Sequence, residues 1–209
     1  MIIVLIGPPG AGKGTQASRL AHTLNVPHVA SGDLLRAVSV QDTPLGQQVK
    51  SYMVAGQLVP DDLALRIVEE RLAQSDAANG VVLDGFPRTL QQAHRLDDVL
   101  AGDGRRGVDV AIYIEAAREV VLERMRARRR DDETPEVQVK RYDVYEHDTL
   151  PLVAYYRERG TLASIDGEQP IDAVTRDIAA TVRAHSVGGG NSAGADAFKP
   201  AATAVQAHE

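Results

Sequence analysis

A lysine within a glycine-rich stretch gives the sequence its strongest chemical signal. The stretch reads Gly7-Pro8-Pro9-Gly10-Ala11-Gly12-Lys13-Gly14-Thr15 and joins an apolar run to a segment with helical apolar spacing. Glycines let backbone N–H groups curl around phosphate oxygens, and the N-terminus of the following helix adds partial positive charge. A lysine at this spacing reaches the β- and γ-phosphates, although here Gly14 stands where the usual pattern has Ser or Thr. The stretch therefore predicts a nucleoside triphosphate site rather than a plain connection.

The segments around this loop alternate between strand and helix patterns. Short apolar runs predict five strands, at 1–6, 29–30, 81–83, 110–114 and 162–165. Apolar residues at helical spacing predict helices at 15–24, 34–57, 60–72, 115–129, 135–159 and 171–184, with breaks near Pro44 and Pro151. This alternation predicts an α/β, P-loop NTPase-like three-layer fold, with a five-stranded parallel sheet flanked by helices.

Composition narrows the possible functions. The net charge of −6 argues against non-specific nucleic-acid binding, which needs a basic surface. The chain has no cysteine, so disulfides and cysteine-ligated zinc are excluded. No apolar run approaches the roughly 18 residues of a membrane span, and residues 1–6 lack the basic flank of a signal peptide, so we expect a cytoplasmic protein. Residues 186–209 are rich in Gly, Ala and Ser, and we expect them to be disordered.

Three further stretches carry a family resemblance. They read Ser31-Gly32-Asp33-Leu34-Leu35-Arg36, Gly56-Gln57-Leu58-Val59-Pro60-Asp61 and Asp84-Gly85-Phe86-Pro87-Arg88-Thr89, the last followed by Gln92. In this order, together with the phosphate loop, they make residues 1–183 resemble the adenylate kinase family. The resemblance implies a monomeric nucleoside monophosphate kinase domain at 1–185. Its implied reaction is the reversible, Mg²⁺-dependent transfer of a phosphoryl group from ATP to AMP, giving two ADP.

The same resemblance assigns residues to the donor nucleotide. The ATP phosphates would be held by Gly10, Ala11, Gly12, Lys13, Gly14 and Thr15. Arg124 would lie under the ATP base, Arg128 would face ATP, and the backbone of Gln169 would lie against the adenine. Asp84, at a strand end, would hold Mg²⁺ through water with help from Asp33. The alternative is that Asp84 only caps the next turn.

The acceptor site is assigned to a nucleoside-monophosphate-binding segment, 31–59, and the loop after the third strand. Its members would be Ser31, Arg36, Gln57, Leu58, Val59, Gly85, Phe86, Pro87, Arg88 and Gln92. Arg36 and Arg88 would grip the AMP phosphate, and Gln92 would read the adenine edge. Arg130 and Arg141 would bridge the transferring group and AMP, so that the catalytic set is Lys13, Arg88, Arg130 and Arg141.

Two features depart from the commonest family pattern. Ser31 stands where adenylate kinases usually carry Thr, which keeps the hydroxyl and loses a methyl group. Only residues 131–140 separate Arg130 from Arg141, so the lid, at about 126–140, is of the short kind. We therefore expect no structural zinc.

Charge neutralisation explains the choice of residue types. Phosphoryl transfer depends on in-line positioning and charge stabilisation more than on covalent help. ATP and AMP together bring about six negative charges at neutral pH, of which Mg²⁺ cancels two. The remainder is covered by Lys13, Arg36, Arg88, Arg128, Arg130 and Arg141. The acceptor is an ionised phosphate oxygen, so no general base is needed.

The arginine run at 124–130 has a second interpretation. Composition alone favours a solvated helix face paired with nearby glutamates. The phosphate loop reverses that preference for Arg124, Arg128 and Arg130, and leaves Arg126 and Arg129 as surface residues.

Other functions remain open at this point. The nearest is a pyrimidine monophosphate kinase on the same fold, against which Thr89 and Gln92 argue; a donor site that prefers GTP is also possible. A non-catalytic nucleotide sensor would tolerate loss of the lid arginines and Arg88, which are all present. A nucleic-acid-linked ATPase would need a basic stripe that the sequence lacks.

Overall fold

Parallel strands form the centre of the molecule. The computed structural model describes residues 1–102, 104, 107–128 and 134–187. Within these residues, five strands form a sheet in the order β2-β3-β1-β4-β5, with every neighbouring pair parallel. The strands are β1 Ile2–Ile6, β2 His28–Ala30, β3 Val81–Asp84, β4 Val110–Glu115 and β5 Leu162–Asp166. The α/β class and the five-stranded parallel sheet predicted from the sequence are confirmed.

Helices cover both faces of this sheet. In chain order they are α1 Lys13–Leu24, α2 Ser31–Ser39, α3 Pro44–Val54, α4 Asp61–Leu72, α5 Leu90–Gly102, α6 Arg118–Arg128, α7 Pro135–Val144, α8 Pro151–Glu158 and α9 Ile171–Val187. A 3₁₀ turn covers Ser75–Ala77, and a π-helical turn, Tyr145–Thr149, joins α7 to α8. Among the described residues, no helix is both long and apolar enough to cross a membrane.

The central strand shows why the fold has three layers. Ile2, Val4 and Ile6 belong to the apolar cluster on one side of the sheet, while Ile3 and Leu5 belong to the cluster on the other side. All five side chains are buried. Because successive strand residues point to opposite faces, a strand that is apolar throughout must be covered on both sides.

Several predicted boundaries differ from the structure. α6 begins at Arg118 rather than at residue 115, because β4 extends to Glu115 through its pairing with Asp166 of β5. The predicted break near Pro151 is confirmed, since α8 begins there, but α7 already ends at Val144, where the π-helical turn begins. Pro60 is the N-cap of α4 rather than its first residue. Helix α5 is not among the helices predicted from the sequence.

Two helix starts follow directly from local sequence. The hydroxyl of Thr43 accepts from the backbone N–H of Gly46 at 3.0 Å, with Pro44 in the first turn of α3. Thr134 caps α7 in the same way through the N–H of Val137, at 3.4 Å. A threonine cap followed by proline satisfies an N–H that the helix leaves without a partner and sets φ for the first turn.

The strand order determines where a site can form. β1 lies between β3 and β4, so the phosphate loop that follows β1 emerges beside Asp84 at the end of β3. In open α/β sheets, ligands bind at the carboxyl ends of the strands where neighbouring connections diverge. Three predictions fall on residues outside those described: Arg129 as a surface residue, Arg130 in the lid, and the tail predicted at 186–209, of which only residues 186 and 187 are described, at the end of α9.

Candidate active site

Two cavities meet at the carboxyl edge of the sheet. The larger, of about 650 Å³, lies between the phosphate loop, α2, the end of α3 and the loop after β3. The second, of about 550 Å³, lies between the phosphate loop and the loop that precedes α9. Gly10, Gly12, Thr15 and Arg124 line both cavities. Volumes of this size suit nucleotide-sized ligands, so the phosphate loop stands between two possible nucleotide sites.

Glycine geometry shapes the phosphate loop. Gly10 and Gly12 have φ of 93° and 96°, a region that side chains disfavour. A Cβ at Gly10 would lie only 2.7 Å from the carbonyl oxygen of Val121, so the loop packs directly on α6. Gly12 is the N-cap of α1, which begins at Lys13. The first N–H groups of α1 therefore face the cavities, where they are suited to bind an anion.

Lys13 bends back over this loop. Its Nζ donates to the carbonyl oxygens of Gly7 at 2.7 Å and Pro8 at 2.8 Å. Burial lowers the pKa of the ammonium from 10.5 to about 8; the charge of Asp84 opposes this shift, and Arg88 and Arg128 add to it. A negatively charged phosphate beside Lys13 would favour the protonated form.

Asp84 stands beside the phosphate loop at the end of β3. Its Oδ2 lies 3.5 Å from Nε2 of His28 on the neighbouring strand. Burial raises the pKa of the Asp84 carboxyl, but the interaction with His28 and the charge of Lys13 outweigh it, so the pKa lies below its ordinary value. A Cβ at Gly14 would lie 3.3 Å from Asp84 Oδ2, so the absence of a side chain there lets the carboxylate approach the start of α1.

These groups fit Mg²⁺ held in part by a nucleotide. No cluster of three or more His, Cys, Asp or Glu that could hold a metal occurs in the described part of the chain. Mg²⁺ usually takes only one or two carboxylates, together with waters and substrate phosphates, and needs no such cluster. Asp84 supplies an ionised carboxylate next to the phosphate loop, which matches that donor set.

Arg88 is fixed at both its side chain and its backbone. Nε donates to the Gly85 carbonyl oxygen at 2.7 Å, and the Arg88 carbonyl oxygen accepts from Thr149 Oγ1 at 2.9 Å. Thr149 belongs to the π-helical turn, so that turn supports the loop after β3. Arg88 thus enters the larger cavity with both its side chain and its backbone held by hydrogen bonds.

Three arginines converge in the larger cavity. Burial lowers the pKa of Arg88, Asp84 opposes the shift, and the nearby charges of Arg141 and Arg36 lower it further. Arg141, on α7, donates to the carbonyl oxygen of Met53 near the end of α3 at 3.4 Å. Arg36 forms an ion pair with Asp33 one helical turn away. Mutual repulsion among these cations makes the cavity a favourable place for a multiply charged anion.

Ser31 shares a partner with Arg88. Its buried Oγ donates to the Gly85 carbonyl oxygen at 2.5 Å. Gly85 has φ of 70°, and a Cβ there would lie 2.9 Å from Arg88 Nη2 and 3.0 Å from Ser31 Oγ. A side chain at position 85 would therefore crowd the point where Arg88 and Ser31 meet.

Gln92 has protein partners at both ends of its amide. Oε1 accepts from the backbone N–H of Arg88 at 2.7 Å, and Nε2 donates to Asp61 Oδ1 at 2.7 Å. Its own backbone N–H donates to Thr89 Oγ1 at 3.1 Å, which caps α5. The amide NH₂ has a second hydrogen and the oxygen a second lone pair, so Gln92 retains one donor and one acceptor for a ligand.

The second cavity is bounded by α1 and the loop before α9. Arg124 donates from Nη1 to the Gly167 carbonyl oxygen at 2.9 Å, and Gln169 Nε2 donates to Asp177 Oδ2 at 3.1 Å. Buried Gln16 donates to the carbonyl oxygen of Ile171 at 3.0 Å, which ties α1 to the start of α9. The backbone around Gln169 thus forms a fixed wall of this cavity.

The structure brings the predicted residues together around these two cavities. Ala11 and Gln169 line the smaller one. The larger one is lined by Lys13, Gly14, Ser31, Asp33, Arg36, Gln57, Leu58, Val59, Asp84, Gly85, Phe86, Pro87, Arg88, Gln92, Arg128 and Arg141. Gly10, Gly12, Thr15 and Arg124 line both, and Arg126 is exposed, as predicted. Arg130 lies outside the described residues.

The sequence does not predict the supporting roles of some residues. Asp61 and Thr149 hold Gln92 and Arg88 from other segments of the chain, and Gln16 acts across 155 residues. Only the Thr89-x-x-Gln92 pattern carries a local signal, since it matches a helix capping box. The others depend on contacts between distant segments, which single-sequence patterns do not encode.

Two cavities that share one phosphate loop, one of them lined by converging arginines, suit two nucleotides held phosphate to phosphate. That arrangement defines a nucleoside monophosphate kinase of the P-loop class. The family model described as adenylate kinase matches residues 5–161. The chain belongs to the adenylate kinase family.

Curated relatives agree over most of the chain. "Adenylate kinase 1" of Nostoc sp. is 46% identical over 180 residues, which cover 86% of this chain and 97% of the relative. "Adenylate kinase" of Cyanothece sp. is 47% identical over 180 residues, covering 84% and 92%. "Adenylate kinase" of Kosmotoga olearia is 42% identical, covering 85% and 97%.

Proposed function

We propose that this enzyme transfers the terminal phosphoryl group of ATP to AMP, reversibly and with Mg²⁺, to give two ADP. The observation that carries the proposal is the position of the phosphate loop between the two cavities, with Arg36, Arg88 and Arg141 converging in the larger one. A donor and an acceptor would meet there end to end. Names of the curated relatives support adenine nucleotides as substrates.

ATP would occupy the smaller cavity and extend over the phosphate loop. Its base would lie between Arg124 and the backbone near Gln169, and its phosphates would reach the N–H groups at the start of α1. Lys13 would exchange its contacts with the Gly7 and Pro8 carbonyl oxygens for the β- and γ-phosphates. Bound phosphate would keep Lys13 charged despite its burial.

AMP would occupy the larger cavity. Arg36 and Arg88 would bind its phosphate through their planar, bidentate guanidinium groups. Gln92 would meet the adenine edge with the donor and acceptor that its protein contacts leave available. The hydroxyl of Ser31 and the Gln57–Val59 backbone would complete the wall.

Asp84, with help from Asp33, which lines the same cavity, would hold Mg²⁺ through water. When bound, the ion neutralises charge on the donor phosphates. Asp33 already pairs with Arg36, so the carboxylate that would help to hold the ion contacts an arginine that would bind the acceptor phosphate. The protein's part is positional: it keeps an ionised carboxylate beside the phosphate loop.

Transfer then requires alignment and protection from water. Lys13, Arg88 and Arg141 would hold donor and acceptor oxygens in line while charge moves between them. We infer that residues 31–59 enclose the acceptor and that the lid at about 126–140, with Arg130, covers the donor. Closure would keep water from taking the phosphoryl group. Arg141, the residue directly after this lid, donates to the carbonyl oxygen of Met53 within residues 31–59, which supports an approach of the two segments.

Both proposed sites are built from one chain, which supports a monomer as the active form. We further infer that the enzyme works in the cytoplasm, with which a cysteine-free composition is compatible.

Product analysis tests this proposal. Purified protein is mixed with Mg-ATP and, separately, with AMP, CMP, UMP or GMP, and the diphosphates are resolved by chromatography. We expect AMP to be converted fastest. Faster conversion of CMP or UMP would instead identify a pyrimidine monophosphate kinase, and ATP loss without any diphosphate acceptor product would exclude a kinase.

A further inference from the structure

Asp61 makes two hydrogen bonds toward the proposed acceptor base site. Oδ1 accepts from Gln92 Nε2 at 2.7 Å, and Oδ2 accepts from Thr89 Oγ1 at 2.9 Å. Asp61 belongs to the first turn of α4, while Thr89 and Gln92 belong to the start of α5. The carboxylate therefore connects two helices at the residue proposed to read the base.

Chemistry allows only one orientation of the Gln92 amide. The backbone N–H of Arg88 can only donate, so it requires the amide oxygen on its side. An ionised carboxylate can only accept, so Asp61 requires the NH₂ on the other side. A flipped amide would face N–H against N–H and oxygen against oxygen. The two partners together fix which end of the amide donates and which accepts.

This fixed orientation distinguishes purines by the group at position 6. Adenine presents a 6-amino donor beside the N1 acceptor, and an amide pairs with such an edge by accepting at one point and donating at the other. Hypoxanthine presents the reverse order, a 6-oxo acceptor beside an N1–H donor. A site discriminates strongly against a substrate that leaves one of its buried polar groups without a partner. Gln92 is such a group, because it is only 2% exposed.

We propose that Asp61, supported by Thr89, is the positioning residue that fixes the Gln92 amide to accept a 6-aminopurine monophosphate and reject a 6-oxopurine monophosphate. The inference rests on the proposed function, because it assumes that Gln92 faces the acceptor base. Under this proposal, selectivity for the acceptor base depends on a residue that contacts Gln92 and not the reacting phosphates.

Asp62 provides a matched control for a purely structural role of Asp61 in stabilising α4. An acidic side chain in the first turn of a helix stabilises that helix by its interaction with the helix dipole, whatever other residue the side chain contacts. Asp62 occupies the same turn of α4 and is exposed. Asp62→Ala therefore removes the same kind of charge without touching Gln92.

The test compares AMP with IMP, which differ only at position 6 and N1. Wild type, Asp61→Ala, Asp61→Asn, Asp62→Ala and Gln92→Ala are assayed with saturating Mg-ATP, and the ratio of kcat/KM for AMP to that for IMP is measured. We expect Asp61→Ala to reduce this ratio about three- to tenfold, the value of one hydrogen bond. The loss should appear in the KM for AMP, while kcat at saturating AMP stays near wild type.

Conservative replacement should rescue selectivity. Asparagine can keep an oxygen toward Gln92 and turn its NH₂ toward the Thr89 hydroxyl, so Asp61→Asn and Asp62→Ala should both retain the wild-type ratio. If Asp61→Ala does not fold, Thr89→Val and Thr89→Ser replace it as the test pair. The valine removes the hydrogen bond to Asp61 together with the cap on the Gln92 backbone N–H and should lower the ratio, whereas the serine keeps both contacts and should not.

The outcomes separate this inference from the function beneath it. A wild-type ratio in Asp61→Ala, together with a reduced ratio in Gln92→Ala, would overturn the positioning role and leave base reading by Gln92 intact. Equal losses in Asp61→Ala and Asp62→Ala would overturn it in favour of helix stabilisation. If the wild-type protein phosphorylates no purine monophosphate, that result would contradict the proposed function itself.

Discussion

Arg88 Nε and the Gly85 carbonyl oxygen are joined by a hydrogen bond of 2.7 Å, and the same oxygen accepts from Ser31 Oγ at 2.5 Å. One backbone carbonyl thus aligns an arginine from the loop after β3 with a hydroxyl from the start of α2. Because both side chains line the larger cavity, the geometry of this acceptor site depends on the backbone at Gly85.

Replacement of Arg88 should impair transfer more than binding of ATP. We expect Arg88→Ala to lower kcat by about a hundredfold or more, the usual effect of removing one positioned donor to transition-state charge. Arg88→Lys keeps the charge and loses the fork, so it should recover only part of the activity. Steady-state kinetics with both substrates measures this; near-normal turnover in Arg88→Ala would contradict the assigned role.

Two glycines allow the acceptor and donor sites to be disturbed separately. Gly85→Ala would place a Cβ 2.9 Å from Arg88 Nη2, and Gly167→Ala would place one 2.7 Å from the carbonyl oxygen of Glu115. We expect Gly85→Ala to raise the KM for AMP severalfold more than the KM for ATP. Gly167→Ala should do the reverse and raise mainly the KM for ATP.

Gly102→Ala serves as the control for both glycine variants, because its Cβ would meet nothing within 4 Å. It should leave both KM values unchanged. An equal effect of Gly85→Ala and Gly167→Ala on the two substrates would argue against the division of the site into a donor and an acceptor cavity.

Titration of Lys13 gives a pH signature for stability. Folding lowers its pKa from 10.5 to about 8, so between these values the unfolded chain holds a proton on this group that the folded chain has lost. Stability rises with pH wherever the unfolded state binds more protons. The free energy of unfolding of wild type, relative to Lys13→Met, should therefore increase between pH 8 and 10.5. Denaturant unfolding without nucleotide measures it, and a flat or falling difference would contradict the shift.

The same titration should appear in catalysis. Because kcat/KM reports the free enzyme, its value for ATP should fall as pH rises through about 8, where Lys13 loses its charge. Bound phosphates hold the proton on Lys13, so kcat should persist to higher pH. Coincident alkaline limbs for kcat and kcat/KM would show that nucleotide does not change the pKa of this group.

Asp84 should set the magnesium requirement. Asp84→Asn keeps the shape of the side chain and removes the charge held beside the phosphate loop. We expect a lower kcat and a severalfold higher Mg²⁺ concentration for half-maximal activity, measured at fixed ATP. An unchanged magnesium dependence would leave Asp84 with the alternative role of capping the turn.

Much of this site was readable from the sequence because its signals are local. The glycines and Lys13 lie within nine consecutive residues, and the loop that carries Arg88 is continuous. The strand pattern also places Asp84 at the end of a strand, whereas its position beside Lys13 follows from the pairing of β1 with β3 in the structure. Local motifs of this kind can be recognised in a single sequence without any knowledge of packing.

Other parts depend on contacts that no local pattern carries. The support of Arg88 by Thr149 spans 61 residues and depends on a π-helical turn, for which Pro151 is the sole local signal. The Asp61–Gln92 hydrogen bond requires α4 and α5 to pack side by side. Helix α5, by contrast, does carry a local signal, since Ala93, Leu96 and Leu100 stand at helical spacing and are buried.

The most direct test of the central claim follows the fate of the transferred phosphoryl group. ATP labelled at its terminal phosphate is mixed with the enzyme, Mg²⁺ and AMP, and products are separated within a single turnover. If donor and acceptor meet at one phosphate loop, the label will appear in ADP formed from AMP, and an analogue of two adenosines joined by a polyphosphate chain will block its transfer. Label recovered as inorganic phosphate, with none in ADP, would contradict the account.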